Sequence, residues 1–403
     1  MRDFAPLIAF KVRSYRFQWP ADLCSTWAFE MENLILGWYI LVETGSVLLL
    51  TLFAALQFMG TLVAPWLGVL GDRIGRKIVF CSMRVIFALL AFAIMTLAFL
   101  DLLTPYVVLG LALLSGLLRP SDMVMRQALI GDTVPPESLP NALGLNRTSM
   151  DASRVFGALA GAGIFAVLGI GYAYVLVTTI YLVGFLLTLG ITDVHPAETS
   201  VEKQDTTQWK DFKEGLAYIW NTPKVLAILW LAFLVNLTAF PIIRGLLPYV
   251  AKEVYLVDEI GLGHLVAAFG AGAMIGAFVV ATVGGRTHST KFMLINILLW
   301  YVMLAVLAAM ETKLSGFTTL FIMGIVHAMG MVSMSVILVG QLEQYIRGRV
   351  IGVRILAIYG VPLGLLGTGM LIDIIGFQAT INLYVGIGMA LTVLIWFKWR
   401  RVF

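Results

Sequence analysis

GSVLLLTLFAALQFMGTLVAPWLGVLGDRIGRKIVFCSMRVIFALLAFAIMTLAFL, residues 45–100, decides the architecture. Two apolar runs, 45–70 and 78–100, are separated by one short charged turn, GDRIGRK at 71–77. A helix needs about 20 apolar residues to cross the hydrocarbon core of a bilayer, and each run supplies them. The stretch reads as two membrane spans joined by a tight turn at one surface.

The pattern continues outward in both directions. Of 403 residues, 60% are apolar and only 12% are charged, and mean hydropathy is +0.94. Soluble domains carry about 25% charged residues, so a soluble fold of this size could not cover its surface. Apolar runs broken by charges, Gly and Pro give twelve spans: 17–41, 45–70, 78–100, 104–127, 141–168, 170–191, 223–250, 260–283, 291–310, 314–339, 350–374 and 376–397. That leaves no room for a large soluble domain. Cys24 and Cys81 both lie in apolar stretches, which argues against a disulfide framework or a thiolate metal site. Arg2, Lys11, Arg13 and Arg16 precede the first span and no small-residue cleavage site follows it, so a removable signal peptide is not expected.

The net charge of +4 points to membrane orientation and not to nucleic acid, because basic residues at span ends fix topology. One side receives the four N-terminal basics, Arg73, Arg76, Lys77, Lys203, Lys210, Lys213, Lys224, Arg286, Lys291, Arg347, Arg349, Lys398, Arg400 and Arg401. The opposite loops hold only Lys252 and Lys313, beside Glu253, Asp258, Glu259 and Glu311. Both termini are therefore expected in the cytoplasm of a cell bounded by this inner membrane.

Residues 192–222 form the one long polar connector. Within it WKDFKEGLAYIW sets Trp209, Phe212, Leu216 and Ile219 on one helical face and Lys210, Lys213 and Glu214 on the other, the pattern of an interfacial helix. The alternative is a helix that docks a partner. The connector divides six spans from six, giving an N-terminal bundle (1–200), a linker (201–222) and a C-terminal bundle (223–403). The halves echo each other weakly: GDRIGRK by GGRTHSTK, and the fourth-to-fifth loop by QLEQYIRGRVIGVR. Paired repeats of this kind place a solute site at their interface near mid-membrane.

LGVLGDRIGRK, Leu67–Lys77, is similar to the G-x-L-x-D-R-x-G-R-K signature of the major facilitator superfamily, with Gly68, Leu70, Asp72, Arg73, Gly75, Arg76 and Lys77 in place. The resemblance implies an all-α fold of twelve transmembrane helices in two pseudo-symmetric six-helix bundles. GWYILVETGS and ALIGDTVPPESLPNALGLN resemble the branch of bacterial enterobactin exporters and multidrug efflux proteins. Glycines in the signature let two helix ends approach, and Asp72 can accept from a neighbouring helix N-terminus. Arg73, Arg76 and Lys77 are expected to meet anionic headgroups. The family implies that this loop latches the bundles and opens once per cycle; the plainer alternative is a loop that only sets topology. Two departures stand out. Ala112 occupies the place of the fourth-span arginine of drug–proton antiporters, four residues before Gly116. The fifth span keeps Gly157 and Gly161 but lacks the antiporter proline, so these glycines read as close helix packing.

Ionisable groups inside a span cost about 2.5–3.5 kcal/mol on insertion scales, so each is a candidate for function. Glu30 and Glu32 lie mid-span in WAFEMEN. Two residues apart on a helix is about 200°, so they face different neighbours. The one facing the interior suits proton loading and release, with Glu32 favoured; the alternative is a pair with an arginine of another helix. Arg119 with Asp122 and Asp151 with Arg154 stand at i,i+3, and Asp122 with Arg126 and Arg147 with Asp151 at i,i+4; they read as a neutralised network for structure or gating, with substrate contact as the alternative. Arg244, after Pro241, and Arg354 have no acid one turn away and are candidates for solute or gate contacts. Trp27 and Tyr249 are among the aromatics that suit a cavity wall, though aromatics at span ends also form the interfacial belt. His264 and His327 read as packing residues, not metal ligands. No Walker loop, HExxH or G-x-S-x-G motif is present, so ATP drive and enzymatic hydrolysis lack support. The expectation is a monomeric secondary transporter without cofactor, exporting amphipathic molecules such as siderophores or drugs on the proton gradient. The alternatives are a cation-coupled importer or lipid-type transporter of the same fold, and, less favoured, a membrane-embedded protein that transports nothing.

Overall fold

The apolar runs fold as helices, and several of them start where the sequence supplies a cap or a proline. The structure, a computed structural model, describes residues 5–61, 66, 70–71, 74–192, 208–283 and 289–400. No strand occurs among the described residues. Helices α1 (Arg13–Thr44), α2 (Val47–Leu56), α3 (Arg76–Phe99), α4 (Pro105–Thr133) and α5 (Leu139–Leu189) come first. Next are α6 (Gln208–Asn221), α7 (Pro223–Thr238), α8 (Glu259–Val283) and α9 (Thr290–Ala309). The last are α10 (Lys313–Gly340), α11 (Gln344–Arg354), α12 (Gly360–Ile375) and α13 (Phe377–Trp399). Thr104 caps α4 by accepting from the Val107 N–H, with Pro105 in the first turn; Ser289 and Thr312 cap α9 and α10 in the same way.

Eight helices among the described residues are long and apolar enough to cross a membrane, or nine when the bent pair α6–α7 counts as one span. The difference from twelve has local causes. Asn141–Leu189 is one 49-residue stretch, about 74 Å at 1.5 Å per residue, more than twice a hydrocarbon core of about 30 Å. It breaks at Gly169, whose φ of 74° and ψ of 178° are non-helical, at the boundary expected between the fifth and sixth spans. A positive φ of this kind favours glycine. α1 is 32 residues long but carries Asp22, Glu30 and Glu32. α2 ends at Leu56 and passes through a 3₁₀ turn, Met59–Thr61, after which the chain leaves the described residues. The expected seventh span is α7 followed by Phe240–Gly245, Leu247–Tyr249 and a π-turn, Val250–Val254. Pro241 and Pro248 remove backbone donors there.

The chain divides into two compact units: Met1–Ser46, Leu56–Thr199 and Val257–Ala267 in the first, and Val47–Ala55, Ser200–Leu256 and Ala268–Phe403 in the second. Within each, helices cross where glycine removes the side-chain barrier. In the first, a Cβ at Gly116 would clash with the Leu56 carbonyl and one at Gly60 with that of Leu117. α5 meets α1 at Gly157 and Gly161, where a Cβ would come within 3.0 Å of Trp27 Cδ1 and of Met31 Cα respectively. The second unit repeats both crossings six spans later. Gly272 and Gly276 of α8 oppose Phe321 and Ile325 of α10, and Gly324 opposes Phe269; Gly360 and Gly364 of α12 oppose Phe233 and Leu237 of α7. Close approach through small residues is how membrane helices pack without a hydrophobic driving force.

Candidate functional site

The first unit buries a closed ring of four charges. Asp22 on α1, Arg84 on α3, and Asp122 and Arg126 on α4 alternate in sign around it. Arg84 Nη2 donates to Asp22 Oδ1 at 2.7 Å, and Arg84 Nε lies 3.1 Å from Asp122 Oδ1. Arg126 Nη2 donates to Asp122 Oδ2 at 3.1 Å, and Arg126 Nε closes the ring 3.4 Å from Asp22 Oδ1. Arg84 also donates to the Ala21 carbonyl, and Arg126 to Thr26 Oγ1. With all four ionised the ring is neutral. No member exposes more than 6% of its side chain, so each charge depends on the others and not on water. A shallow crevice adjoins it, lined by Trp19, Asp22, Thr26, Arg126, Asn146 and Ser149 among others.

A second cluster is held less tightly. Glu32 Oε2 accepts from the Tyr181 hydroxyl at 2.9 Å and lies 3.6 Å from Arg119 Nη2. Arg119 Nη2 in turn donates to Tyr181 Oη at 2.8 Å. The tyrosine thus stands between acid and base. The Arg119 guanidinium is sandwiched by aromatic rings, 3.8 Å from the centroid of Phe29 and 4.2 Å from that of Phe87. Thr178 and Tyr174 lie on the same face of α5 as Tyr181, one and two turns away, and their hydroxyls have no hydrogen-bond partner among the described residues. Buried polar atoms in this state ordinarily meet water or an ion.

The two glutamates do part company, as their spacing requires. Glu30 turns to α5, with Oε1 3.6 Å from Arg154 Nε. The five-residue network expected from the sequence is divided: Asp122 and Arg126 belong to the ring, Arg119 to Glu32, Arg154 to Glu30, and Asp151 to Arg147 at 3.2 Å. Helical spacing holds for the i,i+4 pairs Asp122–Arg126 and Arg147–Asp151 and fails for the i,i+3 pairs, because Glu32 and Glu30 of α1 take Arg119 and Arg154. Sequence reasoning misses Asp22, Arg84 and Tyr181; a lone Asp and a lone Arg inside apolar runs are the signal that could have found the first two.

In the signature loop, Gly68, Asp72 and Arg73 lie outside the described residues. Gly75 opens α3 with a φ of 101°, which only glycine adopts freely. Arg76 Nη1 donates to both carboxylate oxygens of Asp132, at 2.8 and 2.9 Å, at the end of α4. Arg76 therefore has a protein partner, where a headgroup role alone was expected; Lys77 is half-buried. In the second unit, Arg354 Nη2 donates to Ser335 Oγ at 3.1 Å and has no carboxylate partner among the described residues. Arg244 is exposed. Tyr249 packs on Phe377 with ring centroids 5.5 Å apart, and Trp27 lies over Gly157. His327 sits among Trp300, Phe269 and Phe240 at 4.5, 5.2 and 5.4 Å. No cluster able to hold a metal ion occurs among the described residues.

Bilayer-length helices crossing on glycines, with balanced charges buried inside them, define a polytopic membrane protein. The sequence profile of the Major Facilitator Superfamily matches residues 19–359, and the chain belongs to that superfamily. No curated protein sequence matches it significantly. Among solved structures it is similar to a D-xylose–proton symporter, at 12% identity and TM-score 0.76, over 95% of this chain and 97% of that one. It is similar to the nucleoside transporter NupG at 13% identity and TM-score 0.72, over 94% of this chain and 98% of that one. A bacterial homologue of the human lysosomal transporter Spinster, inward-facing and unoccupied, matches at 17% identity and TM-score 0.68, over 94% of both chains. At these identities the likeness carries the fold alone.

Proposed function

We propose that this transporter exports amphipathic small molecules of siderophore or drug-like type, driven by protons taken up at Glu32. It does so by alternating access of two bundles, 1–200 and 223–403, in the inner membrane with both termini cytoplasmic. The observation that carries the coupling is the contrast between the two buried clusters. Glu32 is a buried carboxylate whose arginine stands off at 3.6 Å while a tyrosine hydroxyl bridges them. In the ring, Asp22 and Asp122 are gripped by arginines at 2.7 and 3.1 Å. A proton carrier must be able to lose its counter-charge, and Arg119 has aromatic faces to rest on when Glu32 is protonated. One proton moving inward releases about 2.3 kcal/mol per 100 mV of membrane potential. Export is supported by the likeness of GWYILVETGS and ALIGDTVPPESLPNALGLN to the enterobactin-exporter branch. In the signature loop, Asp72, flanked by Gly68 and Gly75, acts as the latch.

The experiment uses inside-out vesicles containing this protein, an imposed proton gradient, and ethidium and a catecholate siderophore as probes. Wild type should accumulate at least one of them as protons leave. Glu32→Gln should abolish gradient-driven accumulation while leaving downhill exchange, and Glu30→Gln should do so to a smaller degree. Concentration by both Gln variants at the wild-type level would refute proton carriage by either glutamate.

A further inference from the structure

We propose that Tyr174, Thr178 and Tyr181 of α5 hold a file of bound water through which Glu32 takes up its proton from the membrane surface where α5 breaks at Gly169. The inference deepens the proposed role of Glu32 as proton carrier and rests on it. At 100° per residue the three side chains fall within an arc of about 60°. That arc is buried: Tyr174, Thr178 and Tyr181 expose 0%, 5% and 1%. Tyr181 turns it towards α1 through Glu32 and towards α3 through Phe87, whose ring centroid lies 6.0 Å away. Depth agrees along two helices. Tyr181 lies twelve residues beyond Gly169, and Glu32 lies twelve before Thr44, the last residue of α1; each interval is about 18 Å of helix. Tyr174 is five residues from the break, about 7.5 Å. The hydroxyls therefore step from that surface to the carboxylate.

The hydrogen-bond inventory decides what fills the steps. A tyrosine hydroxyl has one proton to give and two lone pairs to receive. At Tyr181 the proton goes to Glu32 Oε2 at 2.9 Å, and one lone pair accepts from Arg119 Nη2 at 2.8 Å. The second lone pair is open to one more donor. One and two turns nearer the break, Thr178 and Tyr174 have buried hydroxyls without a partner among the described residues. Thr178 forgoes the usual helical alternative. Thr179 and Thr188 both return their hydroxyls to the carbonyl four residues back, at 2.7 Å, and Thr178 does not. Tyr174 lies close enough to Glu32 to feel its charge. Hydroxyls left free beside a buried carboxylate bind water, because ordering a water costs less than leaving buried polar groups unpaired. The Arg119 guanidinium beside the carboxylate disfavours a metal cation in the same place. The proton moves by relay. Each water or hydroxyl accepts one on the Gly169 side and releases its own towards Glu32, so Tyr181 ends as it began and the net change is one proton on the carboxylate. In the orientation proposed above, the Gly169 surface is periplasmic, the side from which an exporter draws its proton.

The test uses the full chain in lipid vesicles. Hydroxyl radicals made by a brief X-ray pulse label a buried side chain where water is bound beside it, and this readout needs no transported solute. Tyr174 should be labelled in spite of its burial, and Thr178→Val should lower that labelling several-fold. Gradient-driven accumulation of ethidium and of a catecholate siderophore is then followed in inside-out vesicles. Tyr174→Phe and Thr178→Val should each slow it several-fold, and Thr178→Ser should restore it. Packing alone demands the opposite order, because valine keeps the shape of threonine and serine loses its methyl group. An unlabelled Tyr174 overturns the proposal, as does a Thr178→Val variant that outruns Thr178→Ser. Wild-type rates in Tyr174→Phe and Thr178→Val beside an inactive Glu32→Gln overturn the path and leave the carrier standing. Glu32→Gln at the wild-type rate removes the carrier and the path with it, so the two failures are distinguishable.

Discussion

Arg84→Met is the sharpest test of the charge ring, because it removes one corner and leaves the other three in place. Arg84 exposes none of its side chain, and Asp22 and Asp122 expose 3% and 2%. Arg84 is cut off from bulk solvent and makes two ion pairs, at 2.7 and 3.1 Å. Asp22 and Asp122 would then share Arg126, leaving one net negative charge buried between α1 and α4. Breaking a buried pair from one side costs about 3–5 kcal/mol. By contrast, Arg76 with Asp132 is about one-third exposed on each side, and such pairs contribute about 0–1 kcal/mol. Neutralising Asp22 as well, in Arg84→Met/Asp22→Asn, keeps the Asp122–Arg126 pair and restores balance. The double variant should therefore lose less than the sum of the single losses, by a coupling of about 0.5–3 kcal/mol. The assay is reversible denaturant unfolding in lipid–detergent micelles for wild type, both singles and the double. Wild-type stability of Arg84→Met, or strict additivity of the two changes, would refute the ring as a mutually dependent unit.

Gly116→Ala and Gly324→Ala each drive a Cβ into a backbone carbonyl across a crossing and should each cost about 1–3 kcal/mol, read as a lower melting temperature. Gly163→Ala meets nothing within 4 Å and should be neutral or gain up to about 1 kcal/mol in the same assay. Asp72→Asn should preserve expression and probe binding but slow turnover; transport at the wild-type rate would end the latch assignment. A C-terminal reporter active only in the periplasm should stay silent, and a signal from it would reverse the orientation.

Most of the fold was legible because insertion into a bilayer is governed by long, cheaply counted features. The break at Gly169 fell between the two spans expected there, and Pro241 marked the interruption after α7. The signature at Leu67–Lys77 led to the superfamily. Partner choice among the charges was far less legible. Helical spacing ranks neighbours on one helix, yet Asp122 and Arg126 are completed by Asp22 and Arg84, which lie 100 and 38 positions away from Asp122 in the sequence. Such pairings depend on which helix faces pack together, and that is fixed by glycine crossings whose register no single helix reveals. The insertion cost that singled out Glu30 and Glu32 applies equally to Asp22 and Arg84, so their presence was readable even though their meeting was not.

The two clusters illustrate a division of labour that buried charge permits. In the ring every acid has two bases and every base two acids, so protonating either aspartate leaves one net positive charge buried, at a cost of several kcal/mol. Such a ring ties α1, α3 and α4 together through charges that only one another balance. Glu32 has a different environment. Tyr181 accepts from Arg119 and donates to Glu32, so loss of the carboxylate charge leaves the tyrosine hydroxyl with a partner still. Arg119 keeps the faces of Phe29 and Phe87, each contributing about 0.5–2 kcal/mol for a desolvated cation. On the proposed reading, those rings are what make protonation of Glu32 affordable. Phe29→Ala should therefore weaken gradient-driven transport without touching any titratable group, and a variant transporting as wild type does would show that Arg119 needs no such support.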